Sequence, residues 1–550
     1  MTSSRTRRLE ALAPLAITAL AAGLRFYHLK TPNQIIFDET YYANDAHRLL
    51  HHGIEDGFVV HPPVGKWLIA AGEKLFGYNA FGWRVAAALF GSLTILLVYL
   101  AARELLNTIA GAAAASLLLC LENLHFVQSR IAMLDIFLCF FIVAAFWFLM
   151  LDRRSLEKTS LRAKGWAPVP PTPSPTAKPS QPEEEDAPSE SWVAALKQDL
   201  YSEDSLEESA PAATSSAGTL AAEWASPGVV AAVPPEAGFD GPPGSNESQV
   251  AGGALGAGGA STVGPVSDEP AGVTRRRRVS AGAGIWKRRR VWRYLAGLAI
   301  GLGVATKWSA LAALFGIGAL SLVWEVTARR RAGFKGISLR TLIDELPSLL
   351  IAFLVIPLAV YVASYTVWFL REGTGFPGVF VAWFHNQQAI WHYHATLDVD
   401  HAYKSKAWSW LVMRRPVSYY WKGPGTEVLG MGNPVVFWGA LPMYPYLVWR
   451  TIKKDWRAGA ILTLFAIQFL PWAVATRPLF FFYMLPMVPF MCLGLAYVLE
   501  RMAVRPAGKG FAAGYLVLAA GAFWYFYPIV AAWPLSGNDW QLRMLFRSWI

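Results

Sequence analysis

The chain places chemistry-bearing residues in a few short stretches. Soon after its first apolar run comes IIFDETYY, with the adjacent carboxylates Asp38 and Glu39; about twenty residues on, HPPVGKW supplies His61 and Lys66. Arg84, Arg130, Asp135, Lys307 and Arg477 each stand at the edge of an apolar run, and Glu122 and His125 fall between two such runs. The stretch 370–433 adds His385, His392, His394, His401, Asp398, Asp400, Lys404, Lys406, Arg414 and Arg415 among many Trp and Tyr. Acids beside cations suit the removal of a group from a lipid phosphate. The incoming hydroxyl needs a carboxylate base within hydrogen-bond reach, and the departing phosphate needs cations rather than an acid. Carboxylates near a membrane serve ion transporters equally well.

Those residues need elements to hold them, and composition says which. The 550 residues are 54% hydrophobic and 14% aromatic, with mean hydropathy +0.32, which excludes an ordinary soluble globule. Apolar runs long enough to cross a bilayer as helices recur near 10–27, 83–102, 108–121, 131–150, 293–306, 308–326, 346–369, 434–449, 458–475, 480–500 and 511–532. We therefore expect an all-α polytopic membrane protein with about eleven transmembrane helices. Basic clusters at Arg5–Arg8, Arg153–Arg154, Arg275–Arg290, Arg329–Arg331, Arg450–Arg457 and Arg501–Lys509 all fall on one side of that arrangement. By the positive-inside rule that side is cytoplasmic, as is the N-terminus. The large loops 28–82 and 370–433 then face outward, together with the turns carrying Glu122, Arg130, Lys307 and Arg477. The net charge of +11 is accounted for by this topology and by anionic lipid, without nucleic acid.

Three segments follow: 1–154 with the acid pair, a linker 155–290, and 291–550. The linker is rich in Pro, Ser, Glu, Gly and Ala, cannot offset its ordering entropy, and is expected to be disordered and without chemistry. Its NES sequon at 246–248 would lie in the cytoplasm, away from any glycosylation machinery. The first run has the look of a signal peptide but is expected to be retained as the anchor of the acid pair. Cys120, Cys139 and Cys492 lie inside apolar runs, where small buried hydrophobes are expected rather than disulfides or metal ligands. His392, His394 and His401 could pass for a metal cluster, but loop histidines are usually only solvated.

Six segments, in order, carry a resemblance. FDETYYANDAHRLLHHG, HPPVGKW and FGWR look like the amino-terminal region of the protein O-mannosyltransferases. HFVQSRIAMLDIFLCFF and GVATKWSAL resemble later helices and turns of that family, and HAYKSKAWSWLVMRRPVSYYW resembles its outer-loop motif. RPLFFFYMLPMVPF and NDWQLRMLFRSWI are similar to the bacterial, actinobacterial branch. The resemblance spans nearly all of the chain outside 155–290. Two departures stand out: 370–433 has no room for the β-trefoil insertion of eukaryotic members, and HAYKSKAWSW has Ala402 and two lysines at otherwise family-like positions.

The resemblance implies a GT-C glycosyltransferase-like fold in the plasma membrane. It also implies inverting transfer of mannose from polyprenyl-phosphate-mannose to Ser or Thr of secreted proteins at the extracytoplasmic face. Acceptors emerging from a secretion channel fit that geometry. On this reading Asp38 is the general base and Glu39 holds the acceptor or supports Asp38. His61 and Lys66 shape the site, Lys307 and Arg477 hold the donor phosphate, and Arg84 and Arg130 contact sugar or carboxylate. Arg130 and Asp135 could equally pair to brace two helices. No cofactor is implied. The alternatives are a GT-C enzyme moving another lipid-linked sugar to a glycan or lipid, and a transporter using the acids for cations; the latter expects acids near the bilayer midplane.

Overall fold

A computed structural model of the chain describes residues 4–53, 60–163, 290–332 and 337–550. Each of the eleven apolar runs is helical. Among the described residues, seven helical stretches are long and apolar enough to cross a membrane: Ala80–Leu106, Leu134–Leu161, Ala310–Arg331, Thr341–Ser364, Trp456–Val474, Phe481–Met502 and Pro506–Val530. Leu12–Phe26, Ile109–Cys120 and Val291–Val304 are apolar but shorter. The helix at Pro434–Ile452 carries Pro442 and Pro445 inside it.

In chain order the elements before the linker are α1 (Ser4–Phe26), α2 (Glu39–His52), α3 (Val64–Phe76), α4 (Ala80–Leu106), α5 (Ile109–Cys120), α6 (Asn123–Gln128) and α7 (Leu134–Ala163). Helix α7 runs nine residues past the expected boundary at 154; linker residues 164–289 lie outside the described residues. After it come α8 (Val291–Val304), α9 (Ala310–Arg331), α10 (Ile337–Leu350), α11 (Ile356–Ser364), α12 (Thr366–Arg371) and α13 (Gly378–Thr396). A π-helical turn at Ile351–Val355 joins α10 to α11 within one span. The remainder is α14 (Pro434–Ile452), α15 (Trp456–Val474), α16 (Val488–Met502), α17 (Pro506–Val530) and α18 (Gly537–Arg543).

Burial sorts the spans. The most apolar windows of Leu134–Leu161 and Phe481–Met502 are 78% and 94% buried, so these two form the centre of the bundle; Thr341–Ser364, at 17%, is peripheral. Much of the outer stretches read from sequence as loops is helical, in α2, α3 and α13. One departure from an all-α chain is a hairpin, β1 (Val417–Trp421) paired antiparallel with β2 (Glu427–Gly430). Tyr419 of β1 lays its ring where any side chain at Gly430 would stand, at 2.5 Å from a Cβ placed there, so glycine is required. At the end of α8 and α9 remote from the turn joining them, Arg293 meets Glu345 at 2.7 Å and Glu325 at 3.3 Å. Arg329 joins the same acids, and the network ties α8, α9 and α10 together.

Candidate active site

Asp38 and Glu39 begin α2 and part company there. Glu39 is fully buried; its Oε1 accepts from Arg84 Nε at 2.7 Å and its Oε2 from an Arg84 terminal nitrogen at 2.8 Å. Two backbone amides complete it: Ala132 N–H donates to Oε1 at 3.0 Å and Ile36 N–H to Oε2 at 3.1 Å. Arg84 also donates to the carbonyls of Pro32 and Gln34 at 2.8 and 2.9 Å, with a longer bond to Leu29 at 3.3 Å. One guanidinium from span α4 thus gathers the segment 29–39. The sequence assigned Glu39 to the acceptor or to Asp38 and Arg84 to sugar or carboxylate. In the structure every Glu39 bond goes to Arg84 and to backbone, and the carboxylate Arg84 meets is Glu39.

Asp38 is half-buried and occupies the N-cap position of α2, where an aspartate ordinarily accepts an amide of the first turn. It makes no such bond, nor any other side-chain hydrogen bond among the described residues. The preceding Phe37 holds φ at 48°, a region bulky residues avoid, while its ring packs 4.7 Å from Tyr419 and 5.7 Å from Phe482. The carboxylate is therefore presented rather than used structurally. Burial raises its pKa to about 7; the Lys307 ammonium works against that and the Asp135 charge adds to it.

Lys307 sits in the turn between α8 and α9 and grips Asp135 at 3.0 and 2.9 Å, with Tyr483 beneath its ammonium at 5.0 Å. The HPP loop docks on this turn. Val64 N–H donates to the Ala305 carbonyl at 3.0 Å, and Gly65 comes so close to Leu134 and Thr306 that a Cβ would stand 2.7 and 3.0 Å from their side chains. Arg477 donates to His394 Nδ1 at 2.8 Å, and His394 Nε2 lies 2.9 Å from the Val60 carbonyl. A guanidinium can only donate and a carbonyl only accept, so His394 is the neutral Nε2–H tautomer. Burial, with Arg477 and Lys307 nearby, lowers its pKa to about 4. His61 stacks on it at 5.2 Å and is likewise pushed well down, by burial first and then by Lys307.

A small cleft lies beside Lys307 and Asp135, lined also by Leu138, Ile142, Trp472, Tyr483 and Met487. Its lining is charged at Lys307 and Asp135, polar at Ser309 and Gln468, and otherwise apolar or aromatic.

Of the residues singled out from sequence, Asp38, Asp135, Lys307, Arg477 and His61 gather here. Lys66 is buried against Asp45 at 2.9 Å. Arg130 does not meet Asp135; it donates to the Arg25 and His28 carbonyls at 2.9 Å each, capping α1. Glu122 is spent on the amides of His125 and Asn433 at 2.7 and 2.9 Å. His394 belongs to the site while His401 packs on Phe480 at 5.1 Å, and no group of three or more metal-binding side chains converges among the described residues. Sequence reasoning missed Tyr483, whose ring underlies Lys307 at 5.0 Å and whose hydroxyl accepts from Arg477 at 3.4 Å. Its signal was position: it lies within the motif that supplies Arg477.

Family models described as dolichyl-phosphate-mannose-protein mannosyltransferase match residues 60–163, and 15–80 with 277–371. A model of the C-terminal four-helix membrane region of protein-O-mannosyltransferase matches 379–549. The polyprenol-phosphate-mannose–protein mannosyltransferase of Mycobacterium tuberculosis is 30% identical over 97% of this chain and 90% of its own. That of Mycolicibacterium smegmatis is 29% identical, over 97% and 92%. Among solved structures, the Saccharomyces cerevisiae Pmt1–Pmt2 complex bound to the sugar donor superposes with a TM-score of 0.64 at 13% identity, covering 100% of this chain and 93% of that one.

Proposed function

Because this chain belongs to the protein O-mannosyltransferase family and is a multi-pass membrane glycosyltransferase of GT-C fold, we propose a mechanism in which Asp38 is its general base. The enzyme transfers mannose from polyprenol-phosphate-mannose to protein. A Ser or Thr hydroxyl oxygen attacks the anomeric carbon while the bond from that carbon to the phosphate oxygen breaks. The electron pair leaves with polyprenyl phosphate, the hydroxyl proton passes to Asp38, and the anomeric centre inverts. Lys307 and Arg477 face the phosphate, and the apolar wall of the cleft takes the start of the prenyl chain. Tyr483, between the two cations, orients both. His61 and His394, held neutral, serve as hydrogen-bonding walls. With the basic clusters cytoplasmic, this chemistry occurs at the extracytoplasmic face of the plasma membrane, on secreted chains.

The observation that carries the reading is the contrast at Asp38: an N-cap acid without a capping bond, coupled electrostatically to Lys307 and Asp135, with a pKa near neutrality. Single-turnover transfer from polyprenyl-phosphate-mannose to a Ser/Thr peptide, with wild-type and Asp38→Asn protein in liposomes, tests it. Wild-type rates in the Asn variant would remove Asp38 from the reaction.

A further inference from the structure

Helix α13 presents three different sides. Trp383, Gln387, Ile390 and His394 form one: Ile390 is 2% exposed, Trp383 packs 6.0 Å from Tyr365, Gln387 accepts from the Tyr361 hydroxyl, and His394 reaches Arg477. Roughly 60–100° further round, at about 100° per residue, stand Phe380, Phe384 and Trp391, which are 47%, 56% and 67% exposed. Further again come His385, Gln388 and His392, all exposed and polar. From residue 373 to residue 397 the chain contains no Lys, Arg, Asp or Glu. Large aromatic side chains exposed in a contiguous row mark a surface with a partner.

The partner follows from continuity. The span Thr341–Ser364, which leads into α12 and α13, is the least buried of the seven, with Leu350, Ile351, Leu354, Val355 and Leu358 all exposed. An apolar span exposed along this much of its length has the surface of one that faces lipid. It continues through Leu370 and Phe376, 77% and 86% exposed, onto the aromatic row of α13. We propose that α13 lies in the outer headgroup layer of the bilayer, with Phe380, Phe384 and Trp391 seated in lipid, its polar row in water and its third side on the site. A charge-free helix with one aromatic row and one polar row has the chemistry of an interfacial helix. Its far end carries His394, so the lipid surface is connected through one rigid helix to the Arg477 side of the site.

The test is collision EPR on the full chain in liposomes, with one nitroxide at a time at Phe380→Cys, Phe384→Cys, Trp391→Cys, Gln388→Cys and His392→Cys. The native Cys120, Cys139 and Cys492 are buried, and labelling the parent protein measures their background. The ratio of collisions with oxygen to collisions with a water-soluble nickel chelate is expected to be several-fold higher at 380, 384 and 391 than at 388 and 392. Equal ratios along the helix would place the row in water. Protection from both reagents at 384 would mean that protein covers it, a second copy included. Either result overturns the proposal, and neither depends on mannosyl transfer.

Discussion

Arg84 holds both oxygens of Glu39, at 2.7 and 2.8 Å, with neither side chain exposed to solvent. The second acid of the pair is thereby withdrawn from chemistry. Removing one partner of such a buried pair typically costs about 3–5 kcal/mol. Glu39→Gln and Arg84→Lys are therefore expected to lower the thermal midpoint and to slow transfer together. A Glu39→Gln protein that melts like wild type yet does not turn over would return Glu39 to the reaction.

Asp38→Asn should behave in the opposite way. Loss of a general base slows transfer by roughly 10² to 10⁴. Donor affinity, which we assign to Lys307 and Arg477, should persist and is measurable by titration with polyprenyl phosphate. The folded chain binds the Asp38 proton more tightly than an unfolded chain does. The stability this contributes is complete below about pH 4 and is lost as pH rises through about 7. Asp38→Asn should accordingly melt higher than wild type at pH 8 and not at pH 4.

The same group sets the pH profile. At limiting donor, kcat/KM should climb about tenfold per pH unit on the acid side and level above about 7, where Asp38 is ionised. His394, with its pKa near 4, stays neutral throughout that range and should add no inflection. Persistence of the limb in Asp38→Asn would assign it to another group.

Arg477→Ala should raise the donor KM by roughly tenfold or more, since charge-assisted contacts are worth about 1.5–3 kcal/mol. Lys307→Ala should do the same and also destabilise the fold, because Asp135 is left buried and unpaired. Adding Asp135→Asn to Lys307→Ala is expected to restore the melting temperature but not the donor KM. Recovery of both would make Lys307 a brace only.

The spans were legible because an apolar run long enough to cross hydrocarbon has few other uses, and the basic clusters at their ends order them. Asp38, Lys307 and Arg477 could be singled out because charge is expensive at the edge of a membrane. Their partners could not. Arg477 meets His394 across 83 positions of chain, and Lys307 meets Asp135 across 172, so no local pattern announces either pair. Glu39 and Asp38 look equivalent in sequence; only the turn into α2, with Phe37 at positive φ, sends them to different neighbours. The outer helix α13 was read as loop because aromatic and histidine residues obscure its periodicity.

Arg84 is a residue of a membrane span, yet it collects Pro32, Gln34 and Glu39 from the loop outside. The altitude of Asp38 over the lipid is thus set by the register of α4, as a ratchet pawl is set by its tooth. One residue inserted in α4 between Asn79 and Arg84 would swing the guanidinium about 100° round the helix axis and shift it about 1.5 Å along it. The same insertion near Leu106 would leave the outer half of α4 unturned. This predicts that homologues vary in length at the inner end of this helix and keep a fixed spacing at the outer one. Chimeras that exchange acceptor loops between relatives should therefore be cut below Arg84, so that the loop travels with the residue that carries it.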